Sequence, residues 1–354
     1  MNGPFPVLAK LKCLKLSGIA NNQLDFFRTN VPNLHSLYMS CETNRELEVW
    51  RHLSGQLKLA HMCLSNSTYF SHFLELTFPH LVDFAIGQIF CRTTDEIASS
   101  RGNDFFPRHS LLRRLSVSVP IPVQWIRSIS CHCPGLTSLS LTLVNPEEGI
   151  LASLVLLTKL RHLLFLKSEF IYENRSEYTN MHTKLFRGTI KSLESVELEI
   201  HPSRNFLENL LEAASQLKRL DIKLTFYDSL LLDVEFICEN FSCLRRLEVD
   251  MCNQTPADDS VRFDKLEHLE ELTICNALGI SYIHRNNVRC LKICFHLINN
   301  EDLGQIAEKF PLLKRLTFEF CSWLSVSGII QLHKMIPSCT IDYGSQRFYP
   351  DVYP

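Results

Sequence analysis

Apolar residues recur along the chain in one short pattern, Leu-x-x-Leu-x-Leu or a close variant, with polar or small residues in the gaps. Copies begin at Leu11, Leu34, Leu59, Leu81, Leu112, Leu136, Leu160, Leu193, Leu217, Leu244, Leu269, Val288 and Leu313. A degenerate copy follows at Ser338, Ile341 and Tyr343. The mean interval is close to 25 residues, and the steady register over the whole length separates these matches from chance placement. In the last part of each motif the apolar residues alternate, as in Leu14 and Leu16 or Leu247 and Val249. They therefore point one way from a short strand while their neighbours point the other.

Between strands the spacing becomes helical. Phe206, Leu207, Leu210, Leu211 and Ala214 precede Leu217, with Asn205 as the N-cap candidate; Val326, Ile329, Ile330 and His333 make a second run, and Ile306 and Phe310 lead into Leu313. Four strands are approached through Val31-Pro32, Phe78-Pro79, Cys133-Pro134 and Phe310-Pro311. Proline has no amide donor and cannot extend a preceding helix, so it ends that helix just before the strand.

Each strand–helix pair is too small to bury its own apolar face, so neighbours must stack. The expected fold is an α/β solenoid of about 13–14 repeats, curved, with parallel strands on the concave face and helices on the convex face. Residues 1–343 form the solenoid, and 344–354, with three aromatics, a tail or cap over its open end. Two long intervals imply insertions near 92–109 and 167–191. Leu164 and Leu166 are apolar at outward positions, which predicts that Phe170, Ile171 and Tyr172 of the second insertion fold back over them; the alternative is an exposed patch for a ligand.

Composition narrows the function. The 56 leucines belong to the repeats, and 36 basic against 38 acidic side chains give a formal charge of −2, leaving no global basic field for nucleic acid or an anionic membrane. With 45% hydrophobic and 21% charged residues the chain is too apolar and too evenly charged for disorder. No apolar run approaches a membrane span, and Met1-Asn2-Gly3-Pro4-Phe5-Pro6 has neither the charge nor the apolar stretch of a signal peptide. The 14 cysteines are then expected as reduced thiols in the cytoplasm or nucleus. Sequons at Asn66, Asn174, Asn240 and Asn253 keep an extracellular binding domain open as an alternative.

Phosphate loops, dinucleotide fingerprints, zinc-protease helices and nucleophile elbows are absent, so no enzyme and no cofactor is expected. Cys131-His132-Cys133 and Cys290 with Cys294 and His296 collect ligand-type residues without the paired Cys-x-x-Cys spacing of zinc sites. They are read as packing residues, and no metal is expected.

The period near 25, the helical intervals, the Cys-Pro-x-Leu and Phe-Pro-x-Leu approaches and the cysteines after strands at Cys252 and Cys321 resemble the leucine-rich repeat domains of F-box proteins. The resemblance covers Leu8 to Tyr343. It implies a protein–protein interaction module that recognises a substrate for an SCF-type (Skp-cullin-F-box) ubiquitin ligase. The first repeat starts by Leu8, so a Skp-type adaptor and cullin are expected only if an F-box precedes Met1. Otherwise the chain is a freestanding scaffold, monomeric outside any complex.

The strand register assigns the face that would bind. Of the 21 outward strand positions in the first seven repeats only three are charged, whereas the last seven repeats carry thirteen, so the charged half is the candidate site. Its residues are Glu197, Arg219, Asp221, Lys223, Arg246, Glu248, Asp250, Lys292 and Arg315. Arg219 beside Arg246, and Glu197 beside Asp221 and Glu248, set like charges on adjacent strands, a costly arrangement unless diagonal partners or a ligand neutralise it. Arg219 and Arg246 are expected to take carboxylates of a polypeptide, and Asp221, Glu248 and Asp250 to take basic groups. The competing reading is a solvated face whose charges pair among themselves.

Overall fold

A computed structural model describes residues 7–16, 30–40, 50–51, 54, 60–65, 73–86, 101–142, 149–166, 185–199, 202–222, 234–250, 262–275, 280, 283–294, 298–344 and 346–348. They belong to two compact units, the first Met1–Tyr178 with Leu185–Leu193, the second Thr179–Lys184 with Glu194–Pro354.

In the first unit seven parallel strands lie side by side in chain order: β1 (Cys13–Leu16), β2 (Ser36–Ser40), β3 (His61–Ser65), β4 (Asp83–Ile86), β5 (Arg114–Pro120), β6 (Ser138–Thr142) and β7 (His162–Leu166). The second unit repeats the arrangement with β8 (Ser195–Leu198), β9 (Arg219–Ile222), β10 (Arg246–Asp250), β11 (Glu271–Cys275), β12 (Cys290–Cys294), β13 (Arg315–Glu319) and β14 (Thr340–Tyr343). A short β15 (Gln346–Phe348) pairs antiparallel with β14 and covers its edge.

The register is that of the sequence motif. Leu37, Met62, Phe84, Leu115, Leu139 and Leu163 stand level on successive strands, as do Val196, Leu220, Leu247, Leu272, Leu291, Leu316 and Ile341. All of these are buried. The four motifs approached through proline open on a tight turn in which the first motif residue donates to the carbonyl three positions back: Leu34 to Val31, Leu81 to Phe78, Leu136 to Cys133 and Leu313 to Phe310. Proline occupies the second turn position in all four, where its fixed φ fits and its missing donor is not needed. Level apolar residues on successive parallel strands entered through short turns make this a leucine-rich α/β repeat fold.

The intervals carry the second layer. The first unit holds α1 (Arg101–Arg108), α2 (Val123–His132) and a 3₁₀ segment at Ala152–Leu156. The second holds α3 (Arg204–Ala213), α4 (Val234–Asn240), a 3₁₀ turn at Phe263–Lys265, α5 (Leu303–Lys309) and α6 (Val326–Met335). α3 buries Phe206, Leu207, Leu210 and Ala213, the face that helical spacing requires. Its N-cap is Ser203 rather than Asn205: the Ser203 hydroxyl accepts from the Phe206 amide at 3.3 Å, and Asn205 lies inside the first turn. In α6 the inward residues are Gly328, Ile329 and Leu332, while Ile330 turns outward.

The stretch expected as an insertion near 92–109 ends in α1, which packs on α2 as a member of the helical layer. Two residues at its end clamp the preceding repeat. Arg108 donates to the carbonyls of Leu74 and Glu75, each at 2.6 Å. The buried His109 ring donates from Nδ1 to the Phe105 carbonyl at 2.6 Å and accepts the Phe78 amide on Nε2 at 2.9 Å. Burial pushes its pKa down to about 4, with the charge of Arg108 adding to the fall and the Phe105 bond opposing it. Phe170, Ile171 and Tyr172 lie outside the described residues, but Leu185 and Phe186 near the end of the second long interval are buried in the first unit. No described helix is long and apolar enough to cross a membrane.

Candidate protein-binding face

Because core residues alternate with outward ones, every strand of the second unit presents its odd positions on the open sheet face. The pairing aligns them in rows. The row at the strand starts runs Ser195, Arg219, Arg246, Glu271, Cys290, Arg315, Thr340, and the next runs Glu197, Asp221, Glu248, Thr273, Lys292, Thr317, Asp342. Three of the four charged residues in the first row are arginines, and four of the five in the second are acidic. Charge is therefore ordered along the strand direction, and each guanidinium has carboxylates diagonal to it, which offsets the repulsion between Arg219 and Arg246.

Asp221 organises this face. Its carboxylate is completely buried, and Arg219 donates to Oδ2 from Nε at 2.7 Å and from Nη2 as well. The guanidinium of Arg246 faces Oδ1 from the next strand at 3.5 Å, an ion pair that makes no hydrogen bond at either atom. Arg246 also stands 3.7 Å from Glu248 and 3.4 Å from Glu271. These separations exceed ordinary N–H···O distances, so they are charge contacts that a better acceptor can displace. Hydrogen bonding to Asp221 raises the pKa of Arg219 despite partial burial, and nearby Glu197 and Glu248 add to the rise.

Further along the face Lys292 pairs with Glu319 at 2.9 Å, and Arg315 holds Asp342 at 3.0 Å from Nη2 and 3.2 Å from Nε. The structure thus brings together Arg219, Asp221, Arg246 and Glu248, sets Glu197 in their row, and places Lys292 and Arg315 in separate pairs. Lys223 and the side chain of Asp250 lie outside the described residues. Asp221 differs from its expected role: it has no exposed surface, holds Arg219 through Oδ2 and faces Arg246 with Oδ1.

Three participants were not singled out from sequence. Glu271, Glu319 and Asp342 complete the pairs of Arg246, Lys292 and Arg315, and their outward position level with or diagonal to a cation in the preceding repeat was the available signal. The first unit holds a smaller cluster on its open face, where Asp83 accepts from both His61 and Arg114 on the flanking strands. Partial burial would raise the Asp83 pKa, but the bonds and charges of Arg114 and His61 outweigh it and hold the carboxyl below its usual range.

Among the described residues no group of three or more His, Cys, Asp or Glu side chains could hold a metal ion. Of the sequons, Asn240 is described: its amide nitrogen donates to the Phe236 carbonyl at 2.9 Å.

No family model and no curated protein matches the chain. Similar solved structures include TLR13 in its complex with ssRNA13, at 15% identity and TM-score 0.42 over 90% of this chain and 56% of that one. Others are the LRIM1/APL1C complex, at 11% identity and TM-score 0.27 over 94% and 62%, and the leucine-rich repeat domain of APL1B, at 13% and 0.30 over 96% and 89%. The chain spans 56% and 62% of the first two chains.

Proposed function

We propose that this chain is a protein-recognition module that binds a polypeptide segment on the open face of β8–β14. The observation that supports this reading is the ordered charge: Arg219 and Arg246 converging on the buried Asp221, beside a row of mostly acidic side chains. Arg219, anchored by its hydrogen bonds to Asp221, loses little further rotamer freedom when a partner arrives, which favours binding by preorganisation. The long contacts around Arg246 leave its outer N–H groups able to take a bidentate carboxylate. Charge reversal at Arg246 and Glu248 together tests the reading, because it exchanges the signs of the two rows on β10 at unchanged net charge. The variant is expected to keep the circular dichroism of the parent and to lose the partners the parent captures in affinity purification. Undiminished capture by the folded variant would refute it.

The F-box-type repeat pattern supports a narrower role as the substrate-recognition part of an SCF-type ubiquitin ligase, acting in the cytoplasm or nucleus, with the transfer chemistry in other subunits. Purification of the protein tagged at its native locus tests this role. Co-purification of a Skp-type adaptor and a cullin is the expected result; their absence, with other partners retained, would leave a freestanding scaffold.

A further inference from the structure

Cys275 and Cys294 occupy the same level on the adjacent parallel strands β11 and β12, both on the open face. Hydrogen-bonded strands lie about 4.8 Å apart, and disulfides span Cα separations of about 4.4–6.8 Å, so this pair sits within bridging range. The surroundings are polar and ordered. The Cys294 thiol donates to Glu319 Oε2 at 3.7 Å, the same oxygen that Lys292 holds at 2.9 Å, and Cys275 hydrogen-bonds the Cys294 sulfur in turn. The Cys294 proton thus has an acceptor in place, and the sulfur it leaves has a thiol donor on one side and an ammonium nearby.

The other described cysteines with a resolved shift contrast with this. Burial pushes Cys133, Cys238 and Cys339 up to about 12 and raises Cys63 and Cys290. Cys294 moves the opposite way: the hydrogen bond from Cys275, helped by the charge of Lys292, overcomes burial and the nearby carboxylates. Cys294 is buried at 4% exposure and Cys275 beside it is half-buried, so a molecule as small as peroxide reaches the pair from the Cys275 side.

We propose that Cys275 and Cys294 form an oxidisable dithiol that hydrogen peroxide converts to a disulfide between β11 and β12. Cys294 passes its proton to Glu319, and the thiolate attacks one peroxide oxygen. An S–O bond forms, the O–O bond breaks, and the departing hydroxide recovers the proton from Glu319 as water. Cys275 then attacks the sulfenic sulfur; the S–S bond forms, the S–O bond breaks, and the Cys275 proton leaves with the hydroxide as a second water. Two thiols lose two electrons and peroxide is reduced to two waters. The site is independent of what the face binds.

The test treats the reduced, full-length protein with a small excess of hydrogen peroxide, blocks remaining thiols with N-ethylmaleimide and digests it without reductant. Trypsin cuts after Arg285, Arg289 and Lys292, so the two cysteines fall on different peptides. A linked Cys275–Cys294 pair, two hydrogens lighter and released by dithiothreitol, is the expected dominant product. With Cys275→Ser the reaction stops at the sulfenic acid, and dimedone labels Cys294. With Lys292→Gln, alkylation of Cys294 shifts to higher pH. The proposal is overturned if Cys275 links elsewhere, if Cys294 proceeds to sulfinic acid while Cys275 stays reduced, or if neither reacts at peroxide levels that oxidise the exposed Cys13 and Cys131.

Discussion

Replacing Asp221 with Asn keeps the shape of the side chain and removes the charge on which two arginines converge. In the native protein Asp221 is 0% exposed, while Arg219 and Arg246 retain 38% and 36% of their side-chain surface. Removing one member of a fully buried ion pair costs about 3–5 kcal/mol because the remaining charge stays desolvated. Here water reaches both guanidinium groups and screens them, so part of that cost is recovered. Conversely, the Arg219 contact is a pair of charge-assisted hydrogen bonds on one oxygen, each worth roughly 1.5–3 kcal/mol at most, and an amide keeps one acceptor for them. The balance is a loss of about 2–3 kcal/mol, concentrated in the Arg219 contact because Arg246 makes no hydrogen bond to the carboxylate. Urea unfolding of the full chain, with Glu271→Gln as the control, measures it. Glu271 is half-exposed and meets Arg246 at 3.4 Å, so its loss is expected within about 1 kcal/mol. A double-mutant cycle between Asp221→Asn and Arg219→Gln should give a coupling of about 1–2 kcal/mol. If Asp221→Asn cost no more than Glu271→Gln, the buried carboxylate would not be organising this face.

Three further outcomes follow from the packing. The folded pKa of His109 is depressed, so its contribution is complete above the unfolded value near 6.5 and is lost as pH falls toward about 4. At about 1.4 kcal/mol per pH unit this amounts to roughly 3 kcal/mol; His109→Gln should flatten the stability profile in that window, and an unchanged slope would contradict the assignment. Leu247→Asp sets a carboxylate among the level residues Leu220 and Leu272 at a position with no exposure, and a loss above about 4 kcal/mol is expected; a soluble variant with the parent's thermal unfolding would show the register to be wrong. A Cβ at Gly328 would collide with the Asn300 carboxamide, which accepts from Ser325 at the N-terminus of α6. Gly328→Ala should therefore lower stability by about 1–3 kcal/mol, and removing the obstacle with Asn300→Gly should recover part of it.

The repeat was legible because two physical demands coincide at each strand: alternation sends Leu220 and Ile222 inward, and a tight turn before the strand fixes where alternation starts. Both act within a few residues, so a single motif such as Phe310-Pro311-Leu312-Leu313 carries its own register. Helix caps were less legible. Ser203 and Asn205 are both acceptable N-caps, and the choice rests on which oxygen lies within 3.3 Å of the Phe206 amide, a matter of where the chain leaves the preceding segment. The described end of the longer interval near 92–109 closes with α1, as ordinary intervals close with α2 and α3, and adds the Arg108 and His109 clamps, whereas the interval before Leu160 closes with a 3₁₀ segment.

Charge on the open face was legible as position but not as depth. Alternation places Arg219, Asp221, Arg246 and Glu248 on the same side of the sheet, and identical motif offsets place Arg219 level with Arg246. What it cannot give is the difference in reach between a short carboxylate and two long guanidinium side chains. That difference sinks Asp221 to the floor of the row and leaves the arginines partly in water. The same limit applies to Cys275 and Cys294. Their equal offsets from Leu272 and Leu291 make them neighbours, but only the direction of the Cys294 thiol toward Glu319 distinguishes a pair with a proton acceptor from two packing residues. A repeat therefore exposes the chemistry of its face to sequence reading row by row, while the roles within a row depend on side-chain length and on the next strand's contribution.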